Sequence, residues 1–402
     1  MLTLLRLTVT IIVINLLLIL YTVYVFYYKF SANFPTIAES VQQNVQNIDI
    51  IDIKNNNVLN TSHLMTIEIW SKAAIGLYLW QHILRGQIET RTENNAYISG
   101  SVKVNEFKFK FRSGPLLITE SLQHLSAQNL ILVLNGRDKD KIRFATEWIE
   151  GVKIVKDKIA NIGIVMLGDE DCHNNWIKPY IESNGGFIKF LFVVYDWKAI
   201  DNHDIYQWPL GLATYRNFPN PDFNKINFQA SRPYVCNFVA TIYPDSSRQE
   251  LINILNNKYR DICIIKVRYE WQPKETTDSL NYYVEALRLS DLTLSPIGRN
   301  HECYRIFEAL SFGSVPVVEE NMNHTKKTSC DKNEAYRLLK EANAPLIYVS
   351  NWTQDLPNIL SNELNLSLEY KIQRRLYIIK WYSKFKTLIK SQFLKVINEK
   401  FV

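Results

Sequence analysis

The chain has 402 residues, a net charge of +6, and 47% apolar and 12% aromatic side chains. That length exceeds one ordinary domain and the apolar fraction excludes a disordered chain, so two core-bearing domains are expected. The charge is too modest to indicate nucleic-acid binding. Much of the excess gathers near the C-terminus, at Lys371, Arg374, Arg375, Lys380, Lys384, Lys386 and Lys390, a run that reads as a solvated helix face or as a surface for membrane phosphates or a polyanionic acceptor.

Residues 1–6 are expected to form a short cytoplasmic tail, and residues 7–28 carry no charge, with Arg6 and Lys29 bracketing the run. At about 1.5 Å per residue, a helix over 7–28 spans about 33 Å, which matches the hydrocarbon core of a bilayer. Its end is aromatic, Tyr24, Phe26, Tyr27 and Tyr28, rather than small, so an uncleaved signal-anchor is expected. The segment 29–65, rich in Asn, Gln and isolated Ile, reads as a stem. Four glycosylation acceptors, at Asn60, Asn323, Asn351 and Asn365, favour a luminal body. The five cysteines, Cys172, Cys236, Cys263, Cys303 and Cys330, show no metal-ligand spacing. One or two disulfides with a thiol left over fit the count.

From 66 onward an α/β rhythm begins. Strands are expected at 66–70, 130–134, 163–167 and 187–195 and a helix at 72–84; apolar runs of this length, spaced by helix-sized segments, predict a parallel sheet covered on both faces. A Pro-rich passage over 208–221 is the expected crossing between halves. The rhythm restarts with strands at 234–240, 262–267, 292–294, 315–318 and 346–349, and helices at 246–255, 279–289 and 302–312. A final amphipathic helix carries Ile372, Leu376, Ile379, Tyr382, Phe385, Ile389, Phe393 and Val396 on one stripe. Two Rossmann-like domains, 66–230 and 231–402, facing a cleft describe the GT-B architecture, with ligands at the carboxyl ends of the strands.

The most informative stretch runs from Leu294 to Val318. A strand ends in Ser295-Pro296-Ile297-Gly298, a helix follows, and Arg305 and Glu308 share one of its faces. Gly298 permits close backbone approach, free helix amides and Arg305 suit a diphosphate, and a carboxylate at Glu308 suits a ribose diol. A surface ion pair between Arg305 and Glu308 is the plain alternative. Arg248, early in the first helix of the same half, is a second candidate for the diphosphate, or else a surface salt-bridge residue.

This order of Ser-Pro-x-Gly, Arg-x-x-Glu-Ala and Gly-x-x-Pro-Val-Val resembles the donor-binding signature of exostosin-type glycosyltransferases. Further blocks, among them residues 70–80, Leu134-Asn135-Gly136-Arg137, 206–211, 213–219, Arg232-Pro233-Tyr234, Ser246-Ser247-Arg248-Gln249 and Trp271-Gln272-Pro273, resemble the ribitol-5-phosphate xylosyltransferase family, also known as the transmembrane protein 5 family. The resemblance implies a Golgi type II enzyme that moves xylose from UDP-xylose to ribitol 5-phosphate on the O-mannosyl glycan of α-dystroglycan. The β1,4 bond would form with inversion, and fukutin and fukutin-related protein would be its neighbours. Inversion needs a base, for which Asp138 and Glu170 are candidates, with His82 third; each also has a reading as a cap, a solvated carboxylate or a packing residue. Lys72, Arg137 and Arg216 are the candidates for the acceptor phosphate. Arg248 and Arg305 would replace a metal at the leaving diphosphate, so no cofactor is expected. The triplets Asp138-Lys139-Asp140 and Asp169-Glu170-Asp171 keep a manganese-dependent alternative in view. A non-catalytic Golgi scaffold and an exostosin-like enzyme with another UDP-sugar are the other readings.

Overall fold

The computed structural model describes residues 21, 64–221, 228–244, 246–272, 274–320 and 334–402. The chain divides into two compact units, Met1–Ser62 and His63–Val402, and everything below concerns the second. The expected anchor at 7–28 and the stem therefore lie, apart from Tyr21 and residues 64–65, outside the described residues. Among those residues no helix is long and apolar enough to cross a membrane.

The first sheet has eight strands in the order β2-β3-β4-β1-β5-β6-β7-β8. They are β1 (Met65–Ser71), β2 (Thr90–Arg91), β3 (Ile98–Val104), β4 (Phe107–Ser113), β5 (Asn129–Asn135), β6 (Asn161–Leu167), β7 (Phe190–Val194) and β8 (Ile205–Trp208). From β4 to β8 all pairings are parallel, as the apolar runs predict. The antiparallel edge of β2, β3 and β4 was not expected. Its period is nevertheless written in the chain, because Phe107, Phe109 and Phe111 are fully buried while Lys108, Lys110 and Arg112 between them are only partly so. The helix expected over 72–84 is shorter: α1 (Ile75–Tyr78) passes into a π turn at Leu79–Ile83. Helix α2 (Lys139–Ile154) follows β5.

The second sheet is wholly parallel, in the order β10-β9-β11-β12-β13. Its strands are β9 (Tyr234–Thr241), β10 (Cys263–Arg268), β11 (Ser290–Ser295), β12 (Val315–Glu319) and β13 (Ile347–Val349). Between them lie α3 (Ser247–Lys258), α4 (Thr277–Leu289), α5 (Tyr304–Ser311) and the short α6 (Arg337–Glu341); α7 (Trp352–Asn365) and α8 (Leu368–Phe401) complete the chain. The strand order reverses between β9 and β11, a doubly wound topology whose switch point opens a crevice at the carboxyl ends of those two strands. Cys236 and Cys263, opposite each other in β9 and β10, form a disulfide. Cys172 is also disulfide-bonded, and Cys303 is a free thiol.

Two features join the halves. The passage after β8 docks on α5 and the turn before it: the Leu210 N–H donates to the Glu302 carboxylate at 2.7 Å and the Ala213 N–H to Glu308 at 3.4 Å. Gly211 is left-handed there, φ +71°, and a Cβ would lie 2.4 Å from the Tyr78 ring, so only glycine lets this strand exit pass. Helix α8 spans both sheets, with Phe385 against Phe307 of α5 and Phe393 set among Phe109, Phe192 and Trp208. The expected stripe is correct except at Leu376, which is exposed.

The reading of the basic run as a solvated face fails at its first turns. Arg374 pairs with Glu363 at 2.8 Å, Arg375 with Asp291 at 3.2 Å, and Lys371 with Asp291 at 3.1 Å. Both carboxylates are buried, so these cations serve as counter-ions that water cannot replace. Of the glycosylation acceptors, Asn351 caps α7 by accepting the Gln354 N–H at 3.0 Å and Asn365 is exposed at its last residue; Asn60 and Asn323 fall outside the described residues. Replacing Phe393 with Ala should remove the wedge between α8 and the first sheet and cost about 3–5 kcal/mol, read as a lowered urea midpoint by tryptophan fluorescence.

Candidate functional site

Strand β11 delivers Ser295 to the switch point, fully buried, and the loop beyond it is tied down on both sides. The Ile297 N–H donates to the buried Glu319 carboxylate at 3.1 Å, and the Asn300 side chain accepts the Glu302 N–H at 3.0 Å while donating to the Glu170 carbonyl at 3.0 Å. Arg299 reaches Asp171 at 3.3 Å. The loop is therefore docked against residues from the carboxyl end of β6.

Two arginines converge beneath it. Arg248, in the first turn of α3, is buried and donates through Nη1 to the Thr241 carbonyl at 2.9 Å. Arg305, in the first turn of α5, donates through Nη2 to the Val239 carbonyl at 3.1 Å. Both carbonyls belong to the end of β9. Among the described residues neither guanidinium has a carboxylate partner, and Nε of Arg248 and both Nε and Nη1 of Arg305 are buried without a hydrogen bond. Burial, and then the neighbouring charge of Arg305, pulls Arg248 down to about 10. Two like charges with orphaned donors in one crevice form a site suited to an anion. A Cβ at Gly298 would stand 2.7 Å from Nη2 of Arg248, so the glycine at this position lets the guanidinium reach the loop.

Glu308 lies one turn further along α5 and is buried. It does not pair with Arg305; its carboxylate accepts from the Tyr283 hydroxyl at 2.7 Å and from the Ala213 N–H. Burial pushes its carboxyl above the usual range, against the pull of Tyr283 and Arg305. Glu302, buried at the same junction, is pushed up to about 7 by burial. Tyr283 and Glu302 carry no motif and were not singled out from the sequence.

The opposite wall comes from the carboxyl ends of β5, β6 and β7. Arg137 donates to Glu170 at 3.0 Å, and the Tyr195 hydroxyl donates to the same oxygen at 3.4 Å. Burial is opposed by Glu170, and the balance holds the Arg137 guanidinium above its ordinary value. Asp138 lies outside this group: it is exposed and caps α2, accepting the Lys141 N–H at 3.0 Å. Lys72 is likewise consumed in structure, its ammonium bonded to the Gly114 and Leu117 carbonyls at 2.9 and 2.8 Å and set over the Trp148 ring. Arg216 pairs with Glu275 at 3.3 Å between the Tyr215 and Trp271 rings. His82 stacks on Tyr78, and burial with Lys386 nearby drives it down to about 4, so it is neutral at physiological pH. Among the described residues one group could hold a cation, Asp169, Asp171 and His173, with ligand atoms within 4.8 Å of one another; Asp171 is shared with Arg299.

The family model described as the RXYLT1 N-terminal domain matches residues 67–209, and that of the RXYLT1 C-terminal domain matches residues 215–402. The chain is similar to a human protein named ribitol-5-phosphate xylosyltransferase 1, 42% identical over 343 residues, which cover 84% of this chain and 77% of the relative. A mouse protein of the same name is 44% identical over 356 residues, 86% of this chain and 80% of its own length, and a zebrafish one is 42% identical over 339 residues, 83% and 77%. With both halves matched by paired domain models and the relatives aligned over most of its length, the chain belongs to the ribitol-5-phosphate xylosyltransferase 1 family.

Proposed function

We propose that the chain transfers xylose from UDP-xylose to ribitol 5-phosphate, with inversion. The observation that carries the reading is the pair of guanidiniums, Arg248 and Arg305, with buried unpaired donors at the β9/β11 switch point. The printed name of the relatives supplies the sugar and the acceptor. The donor's diphosphate lies along the loop 295–298 and takes the orphaned N–H groups; Glu308 orients the ribose with the lone pairs that Tyr283 and Ala213 leave open.

In the transfer step the acceptor oxygen attacks the anomeric carbon and the bond from that carbon to the diphosphate oxygen breaks. The electron pair leaves with UDP, and the hydroxyl proton passes to a carboxylate. Glu170 is the base in this reading, because it stands on the cleft wall with Arg137 and Tyr195 holding it, whereas Asp138 is spent as a cap. The negative charge that develops on the leaving diphosphate meets two guanidiniums already in place. The two lobes work as a GT-B enzyme without a metal. Residues 7–28 anchor the body on the luminal side of the Golgi membrane, where the natural acceptor is the O-mannosyl glycan of α-dystroglycan and fukutin and fukutin-related protein act nearby. The Cys236–Cys263 disulfide favours such an oxidising compartment.

The deciding experiment incubates the full chain with ribitol 5-phosphate and UDP-xylose, UDP-GlcNAc or UDP-glucuronate and weighs the products. A pentose should be added from UDP-xylose alone; a hexosamine or uronate product would favour the exostosin-like reading. Arg305→Ala should lower kcat by about 10²–10³ at unchanged expression, and an unaffected variant with no transfer by the parent would favour the scaffold. Gly298→Ala should displace Arg248 and raise the donor KM about tenfold, the equivalent of about 1.4 kcal/mol, with little change in Tm. EDTA should leave the rate unchanged; activity lost to chelator and restored by manganese would assign a metal to Asp169, Asp171 and His173.

A further inference from the structure

A cavity of about 770 Å³ opens beside the crossing segment. It is lined by His82, Arg85 and Arg91 from the stretch after β1, by Thr214 and Tyr215 from the crossing segment, and by Lys386 from α8. Among the described residues no carboxylate lines it. By contrast, Lys371, Arg374 and Arg375 of the same helix are neutralised by Asp291 and Glu363, and Lys400 by Asp204 at 2.8 Å.

The cations of the cavity instead repel one another. Burial and then Arg85 hold both Lys386 and Lys390 below the ordinary lysine value, and burial and then Lys386 hold His82 down. Arg85 itself sits at φ +59°, a left-handed conformation uncommon outside Gly, Asn and Asp, just after the π turn at Leu79–Ile83. That left-handed residue closes the turn, with the Gly86 N–H donating to the Trp80 carbonyl at 2.8 Å, and it sets an exposed Arg85 near Lys386, where a ligand of opposite charge is favoured. The volume also exceeds what a lone ion fills and lies within the range of small-molecule sites, about 300–1,000 Å³.

We infer that this cavity, and not Lys72, Arg137 or Arg216, holds the phosphate of a phosphorylated polyol acceptor, through Arg85, Arg91 and Lys386 with His82 as a neutral hydrogen-bonding wall. The inference rests on the acceptor class named above. Its position fits: Tyr215 lines the cavity and its ring lies 5.7 Å from that of Tyr304, the residue before Arg305 on α5. A polyol chain that leaves its phosphate in the cavity runs past Tyr215 toward the donor side, so the phosphate serves as a handle and fixes which hydroxyl reaches the sugar. Arg137 is engaged by Glu170 and Arg216 by Glu275, which leaves the cavity as the place where an added dianion gains most.

Calorimetric titration of the UDP-saturated full chain tests this with three probes: ribitol 5-phosphate, ribitol and inorganic phosphate. Ribitol 5-phosphate should bind the parent and bind Lys386→Gln and Arg85→Gln about tenfold more weakly each, with UDP affinity and Tm unchanged. Inorganic phosphate should weaken in parallel, and ribitol should bind feebly and equally throughout. The acceptor KM should rise by the same factor, while discrimination between ribitol 5-phosphate and ribitol collapses. Unchanged ribitol 5-phosphate affinity in both variants, or a loss on Arg216→Gln in their place, overturns the inference. If the parent ignores ribitol 5-phosphate but binds inorganic phosphate through Arg85 and Lys386, the acceptor assignment falls and with it the reading of function, while the anion site stands.

Discussion

The central constraint among the described residues is that two guanidiniums, from the buried Arg248 and the half-buried Arg305, are held by main-chain carbonyls rather than by carboxylates. Val239 and Thr241 offer their oxygens at the end of β9, and Arg305 and Arg248 accept that anchorage while leaving three N–H-bearing nitrogens unpaired. A carboxylate in the same place would satisfy the charge and close the site. Carbonyl anchorage fixes direction without neutralising, so the crevice keeps its appetite for an anion. The doubly wound strand order puts this pair where two neighbouring strand ends diverge, the one place in such a sheet where a ligand can lie against both.

The surrounding packing keeps the two halves in contact at that point. The crossing segment is pinned to Glu302 and Glu308 by its own amides, and α8 ties α5 to the first sheet through Phe385 and Phe393. Glu302 and Glu308 are carboxyls whose protons burial makes harder to lose, and each uses its oxygens on the chain that links the lobes. The same segment lines the basic cavity through Thr214 and Tyr215, while its amides at 210 and 213 reach Glu302 and Glu308, which flank Arg305 in sequence.

Much of the second sheet was legible because parallel strands buried on both faces are continuous apolar runs, and Ser295 to Val318 places its glycine, arginine and carboxylate at fixed offsets on one loop and helix. The antiparallel edge was as regular, with Phe107, Phe109 and Phe111 alternating with cations, but it lacks the apolar runs that mark a doubly buried strand. Site residues on regular elements with a motif, Arg248, Arg305 and Glu308, came together. Residues chosen for charge alone did not: Asp138 and Lys72 are taken up by local backbone groups, a competition that spacing cannot register.

By itself the sequence determined the family, the alternation of strands and helices and the loop 295–298 with the helix behind it, because each is encoded by neighbours within about one strand or helix length. Only the tertiary structure decided which cations are neutralised. Lys371, Arg374, Arg375, Lys386 and Lys390 look alike along α8, yet the first three face Asp291 and Glu363 and the last two face Arg85. Coulombic energy depends on distance in space, and those distances are set by chain segments far apart in sequence.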